Sequence, residues 1–75
     1  MVTIYTTTVC PYCHMAKEYL EKNRIKFKEV NVEEDEAAAR EMIQKSHQMG
    51  VPVLDINGSI IVGFDKSGID KALGL

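Results

Sequence analysis

Residues Val2–Thr6 alternate between apolar and polar and are rich in β-branched and aromatic side chains. That period-two pattern predicts a strand. Thr7-Thr8-Val9 then leads to Cys10-Pro11, and proline suits the first turn of a helix because its missing N–H has no intrahelical partner there. Tyr12, Met15, Ala16, Tyr19, Leu20 and Asn23 recur at helical spacing, and Lys22 and Arg24 close the segment where cations complement the helix dipole. Ile25–Val32 alternates again, with a phase shift between Phe27 and Val30, and predicts a second strand. The acidic run Glu33-Glu34-Asp35-Glu36 reads as a solvated face placed where a helix N-terminus favours negative charge. Ala37–Lys45 continues helically, with Ala38, Met42 and Ile43 on one face.

Ser46–Gly50 reads as a loop. Val51–Ile56 predicts a third strand, and Asn57-Gly58 is a strong hairpin signal that returns the chain antiparallel through Ser59–Val62. Gly63-Phe64 turns, Asp65 can cap a helix, and Lys66–Leu73 forms that helix, closed by Gly74. The order is β-α-β-α-β-β-α. Two strands joined through a helix are expected to be parallel, and the last two to form a hairpin. The compact solution is one α/β domain over residues 1–75, with a four-stranded mixed sheet flanked by three helices. Tyr5, Phe27, Ile43 and Val53 are expected in the core, Met15, Met42 and Met49 as gap-fillers or surface, and Phe64 as packing for the last helix.

Composition narrows the function. The chain has 75 residues, 45% of them apolar and 27% charged, which suits a folded domain rather than a disordered one. A net charge of −2 builds no basic face for a phosphate backbone, so no nucleic-acid partner is expected. Apolar runs such as Ile60-Ile61-Val62 fall far short of the ~20 residues that cross a bilayer. Nothing basic precedes the first strand, so no signal peptide is read, and a cytoplasmic monomer is expected.

The two cysteines, Cys10 and Cys13, change the picture most. Small secreted domains of this size use roughly four to eight cysteines as scattered staples. A bridge across so short a loop does little for the entropy of the unfolded chain. The pair therefore serves chemistry or metal. Cys10 falls at the expected N-cap, where unsatisfied amides and the positive end of the dipole stabilise a thiolate. Cys13 lies one turn further, on the inner side of the helix, and keeps a higher pKa. On that asymmetry Cys10 attacks and Cys13 resolves.

Magnitudes show what a lowered pKa does here. A thiol of pKa ~8.5 is about 3% ionised at pH 7, and one of pKa ~6 about 90%. Falling intrinsic nucleophilicity takes back about tenfold of that roughly thirtyfold gain. The larger effect is a dithiol form stabilised by ~1.4 kcal/mol, or about 30 mV.

Cys10-Pro11-Tyr12-Cys13 after a first strand, Val51-Pro52 opening the third, and Gly63-Phe64-Asp65 after the fourth together resemble the glutaredoxin family over essentially the whole chain. The short length and the Val62–Lys66 turn are most similar to its small members, which include the electron donors to ribonucleotide reductase. The resemblance implies a thioredoxin-like fold and a dithiol–disulfide oxidoreductase that reduces protein or glutathione-mixed disulfides. It implies a cis Val51–Pro52 peptide facing the cysteines, with the backbone of Val51 pairing with substrate. It adds Gly63, Phe64 and Asp65 as substrate contacts, and Pro11 and Tyr12, set between the two cysteines, are expected to contact substrate as well. No bound cofactor is implied, and glutathione or a flavoprotein thioredoxin reductase would return the electrons. The chain departs from glutathione-using members at Thr7, where they carry a lysine or arginine, and in its bulkier Gly63-Phe64 turn. Arg40 is a candidate substitute for the missing charge.

A second reading takes the same cysteines as ligands for Cu(I) or for an iron–sulfur cluster bridging two copies. Copper-chaperone domains differ in element order and usually carry Met where this chain has Thr8. Cluster-binding relatives usually carry glycine where this chain has Pro11. His14 and His47 could complete a ligand set on paper, but His14 is expected to point into solvent.

Overall fold

A computed structural model describes residues 1–75. It contains β1 (Val2–Thr6), α1 (Pro11–Lys22), β2 (Lys28–Asn31), α2 (Glu36–Ser46), β3 (Val53–Ile56), β4 (Ser59–Val62) and α3 (Lys66–Leu73). The expected order is present in full. The sheet runs β2-β1-β3-β4, with β1 parallel to β2 and the other pairings antiparallel. Asn57 and Gly58 both take positive φ (51° and 96°), the twist that a two-residue hairpin needs.

Side chains that alternate along the strands build two separate cores. On one face Val2, Ile4, Leu54 and Ile56 pack against Ala16 and Leu20 of α1 and Ile69 of α3. On the other, Tyr5 and Val53 meet Ala38 and Met42 of α2. This second face also holds a polar knot. Lys45 Nζ donates to Asp55 at 2.7 Å and to the Tyr5 hydroxyl at 3.1 Å, and lies 3.0 Å from Glu41. The Tyr5 hydroxyl in turn donates to Glu41 at 2.7 Å. Hydrogen bonding to Asp55, above all, holds the Lys45 ammonium well above the usual lysine range, and Lys45 lowers the Asp55 carboxyl in return. A solvated cleft of about 400 Å³ opens beside this knot, between α2 and the sheet.

Three expectations shift. The second strand covers only Lys28–Asn31, paired in parallel register with Thr3–Thr6 of β1, so Ile25 and Phe27 precede the strand. Those two side chains still pack against the larger core. The third strand starts at Val53 rather than Val51, since Pro52 has no N–H to enter the ladder. Ile43 is 37% exposed and lies outside the core. The inward stripe of α2 runs through Ala38 and Met42, four residues apart, and Ile43 sits about 100° round from Met42.

Two helix ends show the same motif with different residues. After α1, Ile25 N–H bonds the Leu20 carbonyl at 2.9 Å and Arg24 N–H that of Glu21 at 3.0 Å, with Arg24 at φ 59°. After α3, Leu75 and Gly74 repeat this pattern on Asp70 and Lys71, with Gly74 at φ 77°. Arg24 thus holds a left-handed conformation in which its Cβ is crowded, and Gly74 does so without one. Arg24→Gly is expected to stabilise the fold by about 0.5–1 kcal/mol. The expected result is a higher urea midpoint at constant m-value; an unchanged or lower midpoint would mean that Arg24 carries no such strain.

Candidate active site

The site begins where β1 releases the chain. Cys10 is the N-cap of α1 in extended conformation (φ −154°, ψ 100°), and its sulfur accepts the Cys13 N–H at 3.2 Å. Pro11 fills the first helical position and has no N–H, so the amides of the first turn near Cys10 are those of Tyr12 and Cys13. Cys10 and Cys13 form a disulfide with their Cα atoms 5.2 Å apart. Burial separates the two. Cys13 faces inward and is 2% exposed, whereas Cys10 at 8% is reached from the rim. Val9 and Tyr12 flank the pair, 86% and 62% exposed, so an approaching molecule meets apolar surface first. His14 is exposed on the next turn.

The loop ahead of Cys10 is fastened from β2. Val32 N–H bonds the Thr6 carbonyl at 2.9 Å, and the Asn31 amide donates to the Thr8 hydroxyl at 3.1 Å. Asn31 also accepts the Glu33 N–H at 2.9 Å, and Glu33 Oε1 accepts the Thr8 N–H at 2.7 Å. Glu33 is the residue that pattern reading missed. It stands in an acidic run that looks like plain solvated surface. Only the parallel pairing of β1 with β2, with Thr6 level with Asn31, brings it beside Thr8. Beneath the first turns, the buried Thr6 hydroxyl donates to Glu29 at 2.9 Å, and Glu29 pairs with Lys17 of α1 at 3.0 Å. Hydrogen bonding to Lys17, ahead of other causes, holds the Glu29 carboxyl below the usual carboxylate range.

The second wall comes from β3 and β4. Continuing the β1–β3 register past Tyr5 and Val53 sets Pro52 level with Thr6 and Val51 level with Thr7. The Val51–Pro52 peptide is cis. Gly63 N–H bonds the Pro52 carbonyl at 2.8 Å, extending the β3–β4 pairing by one rung. Met49, 79% exposed, lies in the loop that leads into Val51. Pro11 and Tyr12 thus lie with the cysteines on one helical turn, and Val51, Pro52 and Gly63 meet at the adjoining strand ends. Phe64 and Asp65 diverge from them. The Phe64 ring meets Tyr19 of α1 edge-on, with centroids 6.0 Å apart, and the Tyr19 hydroxyl donates to Asp70 of α3. Asp65 caps α3, its carboxylate accepting the Gly68 N–H at 3.1 Å. Arg40 is exposed on α2.

None of the three concavities of the surface is lined by Cys10 or Cys13. The sulfur pair is recessed at the start of α1 rather than set in a cleft, with Cys10 at its edge beside the exposed Val9 and Tyr12. No group of three or more His, Cys, Asp or Glu side chains is arranged to hold a metal ion. No helix is long and apolar enough to cross a membrane.

Comparison with known proteins agrees with this geometry. Residues 2–61 match the glutaredoxin family model. The chain is 49% identical to a glutaredoxin-like 8.6 kDa protein of the Clostridium pasteurianum rubredoxin operon, over 97% of each chain. It is 39% identical to glutaredoxin 3 of Escherichia coli, covering 96% of this chain and 95% of that one. Among solved structures, the glutaredoxin-like NrdH-redoxin of Escherichia coli, a protein with a thioredoxin-like activity profile, superposes with a TM-score of 0.85 at 27% identity, covering 93% of this chain and 91% of that one.

Proposed function

This chain belongs to the glutaredoxin family, and from that premise we propose that it is a thiol–disulfide oxidoreductase whose dithiol reduces protein or glutathione-mixed disulfides. The observation that carries the reading is the Cys10–Cys13 pair at the start of α1, bonded to each other and unequal in exposure. The Cys10 thiolate attacks one sulfur of a substrate disulfide. The other substrate sulfur leaves as a thiolate and is protonated. Cys13 then loses its proton and attacks the Cys10 sulfur, releasing the second substrate thiol. Two electrons pass from the dithiol to the substrate, and Cys10 and Cys13 end as a disulfide. The first-turn amides favour the attacking anion. Pro11, Tyr12, Val51, Pro52 and Gly63 form the surface along which the substrate backbone lies, and Phe64 and Asp65 fix the turn behind it. The protein works as a monomer in the cytoplasm.

Thr7, in place of a lysine or arginine, favours a flavoprotein thioredoxin reductase over glutathione as the source of electrons. Oxidised protein is expected to equilibrate with a redox buffer as one reversible two-electron couple. NADPH with thioredoxin reductase should then reduce Cys10–Cys13 faster than glutathione with its reductase. Absence of the couple would overturn the function, and faster reduction by glutathione would overturn the choice of donor.

A further inference from the structure

We infer that Glu33 is a specificity-determining residue whose fixed charge turns the site against anionic disulfides, glutathione mixed disulfides included, and toward disulfides flanked by cationic groups. The inference rests on the redox reading of Cys10 and names the substrate class that this reading leaves open. Its basis is the placing of one carboxylate. Glu33 Oε1 accepts the Thr8 N–H at 2.7 Å, two residues before the attacking sulfur. The Glu33 amide is itself held by Asn31, so both ends of the residue are tied to the loop that delivers Cys10. Glu33 makes no salt bridge; the ion pairs of the molecule are Lys17 with Glu29 and Lys45 with Glu41 and Asp55. Its charge therefore faces solvent uncompensated.

The surroundings reinforce it. Glu34, Asp35 and Glu36 follow directly, all exposed, and Thr7 is neutral. Val9, Tyr12 and Met49 are exposed and uncharged, so they add contact area and no counter-charge; His14, exposed beside Cys13, is an ionisable neighbour on the helix side. A glutathionyl group carries two carboxylates and one ammonium and thus brings a net negative charge to this rim. Fixed charge of this kind acts mainly on encounter and specificity, and salt screens it over about 10 Å at 0.1 M.

The test uses reduced protein and three disulfide probes of different charge: dianionic 5,5′-dithiobis(2-nitrobenzoate), neutral 4,4′-dithiodipyridine and dicationic cystamine. Rates of loss of the reduced dithiol are read by acid quench, thiol alkylation and mass spectrometry for the natural chain and Glu33→Gln, which keeps an oxygen acceptor for Thr8 N–H and loses the charge. Dividing each variant-to-natural rate ratio by that of the neutral probe removes any change in Cys10 ionisation. At low salt the normalised ratio is expected to rise about threefold for the anionic probe and fall about threefold for cystamine, and both should approach one at about 0.5 M salt. Normalised ratios of one for both charged probes would overturn the inference and leave Glu33 as a loop fastener only. Failure of all three probes to react with the natural chain would instead remove the redox reading beneath it. Glu33→Ala, which also loses the loop bond, should show the same normalised ratios; ratios that depart from those of Glu33→Gln would assign the selectivity to loop geometry and overturn the role of charge.

Discussion

Cys13→Ser protein mixed with a disulfide substrate is expected to stop as a mixed disulfide at Cys10, and Cys10→Ser is expected to form no adduct and to lose turnover by about a thousandfold or more. The asymmetry follows from placement. Cys10 occupies the N-cap, where the Cys13 amide lies 3.2 Å from its sulfur, and it is the more exposed of the two. A serine hydroxyl there has no accessible anion at neutral pH, so nothing begins the exchange. Removing Cys13 leaves attack intact and deletes only the group whose Cα lies 5.2 Å from that of Cys10 and whose thiol would release the product. Intact-mass measurement before and after reductant distinguishes the two variants. An adduct on Cys10→Ser that reductant removes would reverse the assigned roles.

Leu20→Ala is expected to have the largest effect on stability, about 3 kcal/mol and within the 2–5 range for emptying a closed apolar site. Leu20 is fully buried between α1 and the sheet, in one cluster with Ile4, Ala16, Leu54, Ile56 and Ile69. A domain of this length has a total stability of only about 4–11 kcal/mol, so the loss is a large share of it. The unfolding midpoint should fall by roughly 12–24 °C, whereas Leu20→Met, which conserves volume, should cost less than about 1.5 kcal/mol. Thermal unfolding of the oxidised proteins followed by circular dichroism makes the comparison. A fall of less than about 5 °C for Leu20→Ala would mean that α1 is not anchored to the sheet through this residue. The same anchor orients the helix start on which Cys10 depends.

What the sequence made legible was whatever is local. The N-cap at Cys10, the cap at Asp65, the Asn57-Gly58 turn and the closing Gly74 are each decided within a few residues, and each is found where patterning placed it. The polar tie of Glu33 to Thr8 was not legible, because its partners are 25 residues apart and meet only through strand register. The Lys45–Tyr5–Asp55 knot was hidden for the same reason, spanning three elements that share one sheet face. Ile43 was misplaced because an apolar residue beside an inward stripe looks like part of it until the angle of the helix on the sheet is known. The cysteine pair was legible because its spacing and its proline lie within four consecutive residues, separated by three residues from a strand that patterning also finds, whereas the wall opposite it had to come from family likeness at Val51-Pro52.

The closeness of a recessed thiol to a rim thiol has a consequence for survival under oxidative stress. Peroxide that reaches Cys10 first would give a sulfenic acid, the last stage from which a thiol can recover without a dedicated repair enzyme. Cys13, already at bonding distance across one turn, condenses with it and expels water. Damage at the rim thereby collapses into the ordinary oxidised form of the protein, from which the usual reductant restores it, and the irreversible acids are bypassed.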